Sequence, residues 1–151
     1  MIYGRLHIFM AIIVMGSVWI SSSQVANAQT SALLLFGGEN RNTFLGCLNC
    51  NRFDTASVCN KYGDHGSRFN SESIWNRFGE YGSRFSAYSP WNRYASDPPA
   101  IVDQRGGFYG YFTANRSHTQ RTTIGTFLLF LDNSDEVNDD LQRARDLFCD
   151  S

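Results

Sequence analysis

The chain has 151 residues, 13 basic against 14 acidic, and a formal net charge of −1. That balance excludes the basic excess expected of a nucleic-acid or anionic-membrane binder. The length allows one domain with a modest core.

The first segment reads as a targeting signal. Arg5 and His7 precede an apolar run, Ile8–Ile20, followed by Ser21–Gln24 and the triplet Ala26-Asn27-Ala28. A charged start, an apolar stretch and a small-x-small site in that order predict a signal peptide over 1–28. The apolar run falls short of the roughly 20 residues that span a bilayer as a helix. An uncleaved anchor is the alternative. No Cys stands at the cleavage site, so no lipid anchor is expected. Cleavage after Ala28 leaves one mature domain, Gln29–Ser151, secreted or periplasmic and without a stable membrane span.

All four cysteines, Cys47, Cys50, Cys59 and Cys149, lie in the mature part. An even count in an oxidising compartment predicts two disulfides, with three pairings open. Cys47 and Cys50 have C-x-x-C spacing, so redox chemistry and a zinc half-site are alternatives. Redox chemistry would need a low-pKa thiol at a helix start. Here the pair follows a strand-like run. A zinc site would need Cys59, Cys149 or His65 as further ligands.

Ala32–Phe36 and Thr43–Leu48 are short apolar runs split by the polar Glu39–Asn42. They predict a β-hairpin. A sixteen-residue unit then repeats three times, over 52–67, 68–83 and 84–99. Self-similarity at a fixed period means one supersecondary unit stacked on copies of itself. Ser57, Ser73 and Ser89 occupy one position and read as N-caps. Val58, Ile74 and Pro90 follow, and Pro suits a first helical position. A short turn of helix is therefore expected to run to Tyr62, Phe78 and Tyr94. Gly63 and Gly79 would end it in a left-handed cap. Ile74, Trp75 and Phe78 would share its apolar face. Cys59 stands where Trp75 and Trp91 stand, which makes it a credible bridge partner. Trp91 is nearer the fading end of the array, so it is expected to be the more exposed Trp.

Pro98-Pro99 closes the repeats. Ile101–Asp103, a turn over Gln104–Gly107 and Phe108–Thr113 predict a second hairpin. Asn115–Thr122 is polar loop, and Ile124–Leu131 is apolar. From Ser134 a helix is expected. Asp135 and Glu136 fill its first turn, Val137, Leu141, Ala144 and Phe148 share one face, and Arg143 and Arg145 sit toward its C-terminal end.

The repeats carry the candidate binding face: Trp75, Arg77, Tyr81, Tyr88, Trp91, Arg93 and Tyr94. Aromatic faces supply area, while Arg and Asn supply directional bonds. The competing reading is that these rings fill the small core between repeats. His65 takes the place of Tyr81 and reads as a tolerated variant; His118 reads as solvated. Asp132, Asp135, Asp139 and Asp140 lack the spacing of a calcium loop. No nucleophile elbow, phosphate loop or zinc-protease motif occurs. No catalytic residue, metal or cofactor is assigned.

The Gly46-Cys47-Leu48-Asn49-Cys50 motif, the repeats of the Ser73-Ile74-Trp75-Asn76 kind, Pro98-Pro99 before Ile101-Val102-Asp103, and Gly107-Phe108-Tyr109-Gly110-Tyr111 occur together. Over roughly 33–115 this resembles a group of uncharacterised exported bacterial proteins. The resemblance implies a bacterial secreted protein and brings no activity and no catalytic residues.

The fold expected is a small α+β domain, with hairpins flanking the repeats and a C-terminal helix. The function expected is a non-enzymatic extracytoplasmic binding or envelope-associated module whose partner is an envelope polysaccharide or a protein. The alternatives are an enzyme using His65, Asp103 or the C-x-x-C, hydrolase-like in character, and a zinc-stabilised module.

Overall fold

A computed structural model describes residues 31–150; the leader assigned to Met1–Ala28 lies outside them. The domain is α+β. Four strands form one antiparallel sheet in the order β2-β1-β3-β4: β1 (Leu33–Gly37), β2 (Thr43–Cys47), β3 (Ala100–Asp103) and β4 (Phe108–Tyr111). Both expected hairpins are present. β1 also pairs with β3, Leu34 opposite Val102 and Leu35 opposite Ile101. The chain therefore leaves the sheet after Cys47, traverses all three repeats and rejoins it at Ala100. Leu35, Leu45 and Ile101 are fully buried and give the sheet its apolar face.

The repeats are successive tight turns rather than short helices. In the third unit Ser86, Ser89, Asn92 and Ala95 each donate a backbone N–H to the carbonyl three residues earlier. Between Gly79 and Ser83 the step is four residues. Four steps of three and one of four make the sixteen-residue period. At the corners a short polar side chain takes the amide two residues on. Ser73 Oγ accepts from Trp75 at 3.1 Å, and Asn76 Oδ1 accepts from Phe78 at 3.1 Å. Such local bonds compete with helix propagation. The Ser therefore satisfies an early amide as a cap would, but the Asn three residues later starts a new turn, and no helix grows. Gly63 and Gly79 do not adopt the left-handed conformation expected of them. Gly66 and Gly82 are the constrained positions: a Cβ on either would lie 2.2 Å from the carbonyl oxygen of Asn60 or Asn76.

Each unit is one rung of a stack. Trp75 Nε1–H donates to the Val58 carbonyl at 2.8 Å, and Trp91 Nε1–H to the Ile74 carbonyl at 2.6 Å. Each indole so finds in the preceding rung the partner that a buried Trp needs. The two indole rings lie 5.2 Å apart. On one side Cys47 bonds the first rung through Ala56 and Val58. On the other side the segment over 112–115 bonds the last rung: Phe112 to Pro99, Ala114 to Pro90, and the Asn115 amide to Ala95. Part of the stretch read as polar loop is thus an incomplete further rung. Asn115-Arg116 stands where Asn92-Arg93 stands one rung earlier, with Ser117 in place of the aromatic.

Three helices, α1 (Gly125–Asp132), α2 (Ser134–Asp139) and α3 (Leu141–Asp150), cover the stack. The single helix expected from Ser134 is broken at Asp140, whose backbone is not helical (φ −144°, ψ 87°). The Asp140 carboxylate accepts from the amides of Gln142 and Arg143 and so starts α3. Ser134 is buried and gives no capping bond. Arg145 does not serve the helix dipole: it points inward and donates to the Gly66 carbonyl at 3.0 Å. Phe148 packs its ring against Trp75, Phe112 and Phe127. The disulfides are Cys47–Cys50 and Cys59–Cys149, the second tying α3 to the first rung. Among the described residues no helix is long and apolar enough to cross a membrane.

Candidate functional site

Within each rung the turn carrying Ser, then Val, Ile or Pro, then Cys or Trp faces inward. Ser73, Ile74 and Trp75 are wholly buried, and so is Ser89; Trp91 is 1% exposed. The turns that begin each unit and that follow its Asn face outward. Their aromatics are Phe53, Phe69 and Phe85 in one column, and Tyr62, Phe78 and Tyr94 in a second. All six are between 77% and 91% exposed. A cation precedes every one: Arg52, Arg68 and Arg84, then Lys61, Arg77 and Arg93. Arg68 lies 4.6 Å over the Phe69 ring and Lys61 lies 5.0 Å over Tyr62, within cation–π range.

The pairs of the second and third units, from Arg68-Phe69 to Arg93-Tyr94, form one wall of a trough beside α2. Four cavities follow one another along it, of about 730, 540, 350 and 400 Å³. Arg77, Phe78 and Asp139 line both the first and the second. Arg84, Phe85 and Asn138 line both the second and the third. Arg93 and Tyr94 line both the third and the fourth. The four cavities are therefore neighbours along the stack, each sharing lining residues with the next.

The opposite wall is α2 and its flanks, and it is acidic. Arg93 pairs with Asp135, and Arg84 reaches the same carboxylate at 3.9 Å. Arg77 donates to the carbonyls of Asn138 and Asp139 at 2.9 and 3.2 Å. Those carbonyls are at the C-terminal end of α2, where a cation is favoured. Beyond the last aromatic, Arg116 and Arg121 share Asp132. The column of arginines is thereby positioned by the helices, while the rings beside it stay largely in solvent.

Of the candidate face, Arg77, Arg93 and Tyr94 line the trough, and Trp75 and Trp91 border its cavities from within the core. Trp75 and Trp91 do not present a surface: they are core, and Trp91 is no more exposed than Trp75 in any useful sense. Tyr81 is buried against Gly37, and Tyr88 is half-buried. Burial, then the charge of Glu39, pushes the Tyr88 hydroxyl pKa up. Phe53, Tyr62, Phe69 and Phe85 are not assigned to a binding face by the sequence, and Phe78, expected on the packed face with Ile74 and Trp75, instead points into solvent, because the Asn76 turn ends the would-be helix before it. Their signal was present, because a cation followed by an aromatic recurs twice per unit, whereas the core takes one turn and one further aromatic.

The residues of the enzymatic alternative are each engaged locally. Cys47 and Cys50 are bonded to each other. His65 is buried with its ring 4.7 Å from Phe44. The Asp103 carboxylate organises the β3–β4 turn, accepting from the backbone of Gly107 and Arg105 at 2.8 Å and from the Tyr109 hydroxyl at 3.0 Å. Those bonds, that from Gly107 first, hold its pKa below the ordinary carboxylate value. His118 is not fully solvated: its ring lies 4.6 Å from Tyr111, and burial, with the charge of Arg41, pushes its pKa down. Among the described residues no group of three or more His, Cys, Asp or Glu is placed to hold a metal. No protein-family model, curated protein or solved structure matches the chain.

Proposed function

We propose that this protein is a non-enzymatic extracytoplasmic binding module, associated with the bacterial envelope, and that the outward face of its repeats is the binding surface. One observation carries the reading. Six aromatic side chains more than three-quarters exposed recur in two columns, each behind a cation. A contiguous exposed apolar array of this kind marks an interaction site on a soluble domain. The inner residues of the same units account for the stacking, so packing supplies no reason for the outer ones. The two disulfides fit an oxidising compartment.

The test is retention. The exported chain, incubated with washed bacterial envelopes, is expected to sediment with them. The triple variant Phe69→Ala, Phe78→Ala, Phe85→Ala is expected to stay in the supernatant with its melting temperature nearly unchanged. Equal sedimentation of variant and parent would overturn the assignment of this face.

A further inference from the structure

We propose that the trough holds a linear, uncharged glycan of β-1,4-linked pyranoses, lying along the stack and crossing one aromatic station after another. The proposal rests on the binding reading above and adds the chemistry of the ligand.

The shape comes first. Four cavities that share lining residues in sequence suit a chain, not a compact small molecule. The stations recur with the rungs, so the ligand's own units should recur as well. The trough ends where Ser117 replaces the aromatic of the earlier rungs. A β-1,4-linked chain is extended, and each ring offers an apolar C–H face. Phe78 and Tyr94 offer exposed rings to receive such faces, and Phe69 and Phe85 each offer the face that Arg68 or Arg84 does not cover.

The polar groups narrow the class. One wall presents Arg77, Arg84 and Arg93, and the other Asp135, Asn138 and Asp139. Donors and acceptors face the same trough, and Arg93 is already neutralised by Asp135. A polyanion would have to displace Asp135 from Arg84 and Arg93 and would meet Asp139 besides. An anionic lipid surface would meet the same carboxylates. Sugar hydroxyls both donate and accept, so they bond to both walls without breaking the existing pairs. An extended peptide joining by strand addition needs a free backbone edge. Along the rungs the corner amides are taken by Ser and Asn side chains instead.

The experiment uses the exported chain and two sets of soluble oligomers from dimer to hexamer, β-1,4-linked glucose and β-1,4-linked N-acetylglucosamine, read by calorimetry. Vesicles containing anionic phospholipid and a polyuronate serve as competing probes. One oligomer set is expected to bind about tenfold more tightly at the tetramer than at the dimer and then to level off, because the number of stations is finite. Phe78→Ala should weaken the tetramer about tenfold, as loss of a central aromatic anchor does. Asp135→Asn should weaken it too, whereas it should strengthen binding of a polyanion. Affinity independent of length, or binding unaffected by Phe78→Ala, would overturn the proposal. Binding to vesicles or polyuronate alone, lost in Phe78→Ala, would overturn the glycan while leaving the binding face standing. Failure of both oligomer sets together with loss of envelope retention would remove both.

Discussion

The inner and outer faces of the rungs carry the same sixteen-residue period but differ in what the repetition does. Inside, Ser, then Val, Ile or Pro, then Cys or Trp recur because each rung must present the next with the shape and hydrogen-bond acceptor it received from the last. Trp91 uses the Ile74 carbonyl as Trp75 uses that of Val58. Outside, Arg-Phe recurs with a second cation–aromatic pair, Lys61-Tyr62, Arg77-Phe78 or Arg93-Tyr94, and no rung packs on these rings. Repetition on the inside is explained by stacking. Repetition on the outside is a cost in exposed apolar surface, which the proposed ligand would explain.

The sharpest way to break the comparison is to truncate the inner rings. Trp75→Ala and Trp91→Ala should each cost about 3–5 kcal/mol, the range for large buried aromatics. Thermal or denaturant melts of both variants measure this. A loss below about 1 kcal/mol for either would mean that the ring is not core in solution. The expectation from sequence that Trp91 is the cheaper of the two is replaced by near equality, since both are sealed and both hydrogen-bonded.

Next in size is the link between stack and helix. Replacing both Cys59 and Cys149 by Ser should cost about 2–5 kcal/mol. The bridge closes a segment with a separation of 90 residues, whereas Cys47–Cys50 closes one of 3. In the loop-entropy picture the long closure stabilises more. Unfolding of the two double variants in urea tests the order, and a larger loss from the short bridge would reverse it.

A smaller effect tests how tightly each rung closes on itself. Gly82→Ala would place a methyl against the Asn76 carbonyl, a backbone atom that cannot swing away. About 1–3 kcal/mol of destabilisation is expected, typical of overpacking. An unchanged melting temperature would show that the rung breathes.

Acid separates the sheet from the stack. Asp103 has a folded pKa below its unfolded value, so its contribution is complete above that unfolded value, about 3.9. The contribution falls away as pH drops through the lower folded pKa. Melts between pH 5 and pH 2, roughly the window in which carboxylates titrate, should show a decline that Asp103→Asn reduces. An identical acid profile in that variant would move the sensitivity elsewhere.

The smallest stability effect belongs to the outer face. Phe69→Ala, Phe78→Ala or Tyr94→Ala should change stability by less than about 0.5 kcal/mol, as exposed substitutions usually do. A loss comparable with that of Trp75→Ala would erase the distinction between the faces.

Much of the fold was legible. The two hairpins follow from short apolar runs around Gly37 and Gln104–Gly107, and the stacking of like units follows from the period, although each unit is a run of tight turns and not the turn of helix expected. The helix over 125–132 was legible only as an apolar run, because Gly125–Asp132 is apolar on most sides and shows little periodicity. The break at Asp140 was not legible either, since the apolar residues Val137, Leu141, Ala144 and Phe148 run across it at helical spacing. The site was half legible. Arg77, Arg93 and Tyr94 were placed on a binding face, but so were the buried indoles, because large aromatics serve cores and surfaces alike.

By itself the sequence determined the period, the count of cysteines, the strands and the turn chemistry. These are local matters: a Ser or Asn beside a free amide acts within a few residues. Tertiary structure alone decided which turn of each unit points inward, that Cys59 meets Cys149, and that α2 stands opposite the arginine column to make a trough. A rung of four three-residue steps and one four-residue step has neither the helical nor the strand period, so no regular alternation in the chain announces its faces. Only closure of the first two rungs at Gly66 and Gly82, and stacking of one rung on the next, turns Trp75 and Trp91 inward and leaves Phe69, Phe78 and Phe85 in solvent.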